Sequence, residues 1–148
     1  MLSLDGEAFT TGRSGFLDHA PGGRREATSK IYVKIGLQGI PPVLAQLDTG
    51  AAWSVLEPEI AEALGLFDGS GPEVALHTPL GRHHGRLEEV PLTLLADEGH
   101  ALEVAATVFV CRDWPGATFL GYSGLLAHVR FALDPQDRNF YFGSYGEE

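Results

Sequence analysis

The segment Val43-Leu44-Ala45-Gln46-Leu47-Asp48-Thr49-Gly50-Ala51 constrains this chain more than any other. A largely apolar strand delivers a carboxylate into a tight loop of small residues. Gly50 permits close backbone approach or a positive φ angle. Thr49 offers a hydroxyl that can fix the loop by a hydrogen bond, and Ala51 leaves space beside the acid. Such an arrangement suits a carboxylate that must face another group at short range. The plainer alternative is a strand followed by an Asp-containing turn, since Asp and Gly are common turn residues.

The surroundings predict a β-rich protein. Ile31, Val33, Ile35 and Leu37 alternate with polar or small residues, the pattern of a half-buried strand. Gln38-Gly39 is a turn, and Val43 to Leu47 is the return strand. Pro58 opens a short helix to Leu64, at a position where its missing N–H is harmless, and Gly65 stops it. Val74 to Leu76 and Arg86 to Leu95 form two arms of a hairpin, with Pro79, Gly81 and Gly85 near its tip. Ala101 to Val110 and Thr118 to Leu120 are further strands, and Ser123 to Ala127 a helical turn. Val129 to Leu133 and Asn139 to Phe142 bracket a turn at Asp134-Pro135-Gln136-Asp137. With 19 Gly and 9 Pro for turns in 148 residues, one mainly β domain with one or two short helices is expected. Residues 1–29 read as an irregular N-terminal arm, 30–143 as the folded domain and 144–148 as a C-terminal tail.

Charge narrows the partners. A net charge of −10 repels phosphate backbones and anionic headgroups, so neither nucleic acid nor membrane is expected. The stretch Met1 to Gly15 lacks the basic head and apolar run of a signal peptide. The single Cys111 cannot form an internal disulfide, so a cytoplasmic location is the default expectation.

The residues around Asp48 resemble those of the retroviral-type, or retropepsin-like, aspartic proteases and their cellular relatives. The family motif is an apolar pair, Asp, Thr or Ser, Gly, then Ala or Ser. It stands here as Gln46-Leu47-Asp48-Thr49-Gly50-Ala51, with Gln46 departing from it. A second family element, an apolar pair and Gly, is matched by Phe119-Leu120-Gly121. Leu76 to Leu87 resembles the flap, and Ser54 to Leu66 the helix-bearing segment after the catalytic loop. Leu125-Leu126 and Phe131 to Asp134 resemble the closing helix and strand, so the likeness runs from about residue 31 to 143. Many retroviral members pair an acid after the Ala with a base after the second Gly. Ala52 and Tyr122 stand there instead, so both partners of that ion pair are missing together and no charge is stranded.

The resemblance implies a retropepsin-like closed β-barrel and an aspartic endopeptidase. Only one Asp-Thr-Gly occurs, so the resemblance implies a homodimer in which two copies of Asp48 activate a water against a polypeptide substrate. It assigns Asp48, Thr49 and Gly50 to catalysis, and Ala51, Leu80, Gly81, Arg82 and Gly121 to substrate binding. Two readings from other classes stay open: a non-proteolytic dimeric binding or assembly module on the same fold, and a plain β-barrel interaction domain in which Asp48 only caps a turn. No cofactor is expected. His77, His83 and His84 have no Cys or carboxylate at ligand spacing, so no metal site is expected either. Cys111 reads as a small core residue with no His to activate it. Glu88-Glu89 reads as a solvated edge, Asp97-Glu98-Gly99 as a plain turn, and Trp53 and Trp114 as core or interface.

Overall fold

A strand buries its apolar face only against another sheet or against itself, and here the sheet closes on itself. The computed structural model describes residues 1–18, 30–79 and 81–146. In chain order the strands are β1 (Ser3–Leu4), β2 (Glu7–Ala8), β3 (Gly12–Gly15), β4 (Tyr32–Leu37), β5 (Val43–Asp48), β6 (Ser54–Val55), β7 (Glu73–Thr78), β8 (Gly81–Leu94), β9 (Glu98–Gly99), β10 (Leu102–Val110), β11 (Phe119–Gly121), β12 (Arg130–Asp134) and β13 (Asn139–Gly143). The order β10-β6-β11-β5-β4-β8, closed by a β10–β8 pairing, makes a six-stranded barrel. The expected mainly β, retropepsin-like closed barrel is therefore the architecture observed.

The alternation in β4 is borne out. Val33, Ile35 and Leu37 are buried, while Tyr32, Lys34 and Gly36 are only half-buried. Val90, Leu92 and Leu94 of β8 and Val104, Ala106 and Val108 of β10 face the same core. A second apolar cluster joins Val55, Phe109, Cys111 and Trp114, with Trp53, Val74, Leu76, Leu87 and Phe119 packed on it. The helix α1 (Pro58–Ala63) starts on its proline, and Gly65 follows at φ 71°, a left-handed angle that favours glycine. The helical turn expected at Ser123 to Ala127 is a short 3-10 turn, Leu126–His128.

β8 pairs with different strands along its length. Its residues 86–94 pair with β10, and its residues 81–86 pair with β7 in an antiparallel hairpin that projects from the barrel. The base of that hairpin is fastened. Glu88 accepts the Gly71 N–H at 2.9 Å, Arg86 donates to the Phe67 carbonyl, and the Leu87 N–H donates to the Pro72 carbonyl at 3.0 Å. The Glu88 side chain is 14% exposed, which corrects its reading as a solvated edge. It shares the parity of Val90 and Leu92, so the pleat turns it inward.

The stretch expected to be an irregular arm is partly built into the fold. β1 and β2 pair with each other, and β3 lies between β13 and β9 in a four-stranded sheet. Gly12 and Ser14 turn inward on β3, and Phe16 reaches the core. Small residues pack where apolar ones were looked for, so no apolar period marked this strand. Residues 19–29 of the arm lie outside the described residues. Asp97-Glu98-Gly99, read as a plain turn, also pairs: Glu98 and Gly99 form β9 against β3.

Asp97 ties this second sheet to the barrel. It accepts from the Lys34 ammonium at 2.5 Å and from the Gly15 N–H at 2.8 Å. The lysine bond first, and the backbone bond second, hold its carboxyl below the ordinary 3.8. Because the folded value is depressed, the stabilisation is complete above about pH 4 and is lost as pH falls through the folded value. The pair is exposed and screened, so Asp97→Asn is expected to cost roughly 0.5–1 kcal/mol at pH 7. Urea titrations of both proteins from pH 7 to pH 2 check this; a difference that stays constant down to pH 2 refutes it.

Candidate active site

β11 lies between β5 and β6, so the loop joining β5 to β6 must pass over its end. β11 runs parallel to β5, and Gly121 stands opposite Asp48. The crossing loop is bonded to the residues that follow β11. The Tyr122 N–H donates to the Ala51 carbonyl at 2.7 Å, and the Gly124 N–H to the Ala52 carbonyl at 2.9 Å. A side chain at Gly121 would stand 2.3 Å from the Trp53 carbonyl oxygen and 2.9 Å from that of Ala51. Only glycine fits beneath this crossing. Ser54, fully buried, accepts the Gly121 N–H on its hydroxyl at 3.0 Å.

The loop aims Asp48 deliberately. Oδ1 accepts the Gly50 N–H at 3.0 Å, a local turn that fixes the carboxyl rotamer. Among the described residues, Oδ2 accepts nothing. Asp48 and Ala51 are half-buried, and Thr49 and Gly50 are exposed. Tyr122, beside the loop, is 51% exposed, and Tyr145, whose hydroxyl donates to the Ala127 carbonyl, is 55% exposed. The Ala127 N–H in turn donates to the Tyr122 carbonyl, which links Tyr145 to the residues that follow β11. The Asp48 carboxyl thus stands in a loop whose next two residues are exposed.

The fold brings Asp48, Thr49, Gly50, Ala51 and Gly121 together, as the two motifs suggested. Gly81 and Arg82 begin β8 on the projecting hairpin, and Leu80 lies outside the described residues. Arg82 does not point to Asp48 by any bond among the described residues. It lines a groove of about 600 Å³ with Glu73, His84, Arg86, Arg112 and Asp113. That groove runs between the hairpin and residues 110–113, and Asp48 is not among its walls.

One group is not legible from spacing along the chain. His83 of the hairpin lies against Cys111 and Asp113, their ligating atoms within 4.8 Å of one another. Cys111 and Asp113 are remote from His83 in sequence, and the β8–β10 pairing brings them together, so the absence of a Cys or carboxylate at ligand spacing does not exclude such a group. Trp53 and Trp114 behave as expected and pack in the second apolar cluster. The Cys111 thiol donates to Asp113 at 2.8 Å. Burial foremost, then that bond, pushes the thiol up, and the same bond holds the Asp113 carboxyl down.

A closed six-stranded barrel, a projecting hairpin and an acid in a loop crossed over a neighbouring strand define the retropepsin-like fold. No protein-family model and no curated protein sequence matches this chain. Among solved structures it is similar to a retropepsin-like aspartic protease from Rickettsia conorii, at TM-score 0.57 and 18% identity, over 88% of this chain and 98% of that one. The retroviral protease-like domain of Ddi1 from Leishmania major also matches, at TM-score 0.46 and 18% identity, over 80% of this chain and 96% of that one. At such identity the first likeness establishes the fold. No helix among the described residues is long and apolar enough to cross a membrane.

Replacing Ser54 by Ala leaves the Gly121 N–H buried without its acceptor. The variant is expected to lose about 1–3 kcal/mol of stability by urea denaturation. An unchanged midpoint would show that the hydroxyl does not hold the crossing.

Proposed function

We propose that this protein is a homodimeric aspartic endopeptidase whose water is activated by Asp48 of one protomer and Asp48 of the partner subunit. The observation that supports it best is the Asp48 carboxyl: one oxygen fixed by Gly50, the other free, in an exposed loop beside exposed Tyr122. A single carboxylate is half of the acid–base machinery that amide hydrolysis requires. Thr49 and Gly50 are exposed in the single chain, which leaves them open to a second copy. The Rickettsia neighbour, itself a retropepsin-like aspartic protease, adds to this reading.

Two carboxyls at close range cannot both ionise cheaply, so they share one proton and titrate as a pair. The ionised Asp48 takes a proton from the water, and the resulting hydroxide attacks the peptide carbonyl. The protonated partner bonds the carbonyl oxygen as charge develops there, and a carboxyl proton then passes to the leaving nitrogen. Gly50 keeps the carboxyl in place. The β7–β8 hairpin, with Gly81 and Arg82 near its tip, closes over an extended peptide held as an added strand.

A peptide library incubated with purified protein from pH 3 to pH 8 is expected to show cleavage with a bell-shaped pH dependence. Specific activity per chain should rise with protein concentration as dimers form. Asp48→Asn should reduce turnover by at least about 100-fold. Its sedimentation should remain that of a dimer. Cleavage that survives Asp48→Asn, or a wild-type dimer that cuts nothing at any pH, overturns the proposal; the second result favours a binding module on the same fold.

A further inference from the structure

His83 stands near the start of β8 on the projecting hairpin, and Cys111 and Asp113 follow the end of β10. Two observations distinguish this meeting from ordinary packing. The Nε2 atom of His83 is buried and has no hydrogen-bond partner. Buried polar atoms are nearly always paired, and an orphan imidazole nitrogen is a lone pair or proton waiting for a partner. The Cys111 sulfur, meanwhile, is turned to Asp113 at 2.8 Å, at the wall of the 600 Å³ groove. Imidazole, thiol and carboxylate therefore converge from two separate segments, with ligating atoms inside 4.8 Å.

We propose that His83, Cys111 and Asp113 bind a thiophilic divalent cation of the zinc class, which fastens the hairpin to the segment after β10. A thiolate and an imidazole select zinc-like ions over magnesium or calcium, which prefer oxygen alone. With Zn–S about 2.3 Å and Zn–O about 2.1 Å, tetrahedral neighbours stand roughly 3.6 Å apart. The Cys111–Asp113 pair at 2.8 Å opens a little, and the widest separation, at most 4.8 Å, closes a little. Side-chain rotation covers both changes. In the binding step the S–H bond breaks, its proton goes to solvent, and the sulfur electron pair forms the metal bond. The His83 ring is steadied by Trp114, edge to face with centroids 5.2 Å apart. Asp113 is exposed, so a fourth coordination position faces solvent and takes water. The site stands independently of whether Asp48 cleaves peptides.

The test uses the reduced full chain titrated with Co²⁺, with Zn²⁺ as competitor, and reads the thiolate-to-cobalt charge-transfer absorption. One equivalent per chain is expected, displaced by Zn²⁺. The absorption should vanish in Cys111→Ser, and Co²⁺ affinity should fall at least tenfold in His83→Gln and in Asp113→Asn. Zn²⁺ should also slow amide exchange in Glu73–Thr78 and in residues 81–86. No charge-transfer absorption in the wild type overturns the proposal, whatever the variants do. So does binding equally tight in His83→Gln and Asp113→Asn, because His77, His84, His100 and His128 are alternative weak ligands. Asp113 is exposed, so its variant reports on the site even if loss of the buried thiol disturbs folding.

Discussion

The crossing of the β5–β6 loop over the end of β11 is the constraint on which the rest depends. It forces a parallel strand between two segments that are close in sequence. It leaves no volume for a Cβ at Gly121 and requires a buried hydroxyl, Ser54, to take the N–H beneath. In exchange it holds Asp48 at the edge of the barrel, attached to the core through Leu120 and through Val55 of the adjoining strand. A carboxyl on a free loop would wander by more than hydrogen-bond tolerances. Here the Gly50 N–H holds the carboxyl itself, two backbone hydrogen bonds tie its loop to the residues after β11, and the Ser54 hydroxyl accepts the Gly121 N–H beneath.

The same crossing leaves the acid incomplete. Gly50 takes one carboxylate oxygen, while among the described residues the other accepts no hydrogen bond and Thr49 and Gly50 are exposed. Ordinary turn-capping acids satisfy themselves locally and sit in polar surroundings. Asp48 satisfies only one of its two oxygens in that way, on the Gly50 N–H. Under the proposed function, a second copy of this chain would supply the missing carboxyl as well as the cover.

Much of this was legible in the sequence because it is written in short-range signals. The alternation of Ile31 to Leu37, the proline and glycine that bracket α1, and the small residues after Asp48 act through neighbours along the chain. Phe119-Leu120-Gly121 was legible only by its likeness to a family element; its physical reason, the crossing, is a property of topology. β3 was missed because Gly12 and Ser14 do the inward packing, and their pairing with Phe142 and Phe140 of β13 spans nearly the whole chain. The His83–Cys111–Asp113 group was missed for a related reason. Its members meet only once Arg86 is set opposite Val110, and that register is decided by Val90, Leu92 and Leu94 far down the strand. Glu88 could have been read correctly from parity alone, had charge not been given more weight than position.

β8 runs unbroken from Gly81 to Leu94, wall of the barrel at one end and arm of the hairpin at the other. Such a strip has no pivot. Where a lid on a glycine hinge swings as a rigid plate, this hairpin must bend like a cantilever clamped at its base, sharing curvature along its length. Its stiffness is then set by how firmly the clamp grips, and the Glu88–Gly71 and Arg86–Phe67 bonds are the grip. Substitutions at that clamp, in the barrel wall, would therefore alter the stiffness of the whole arm.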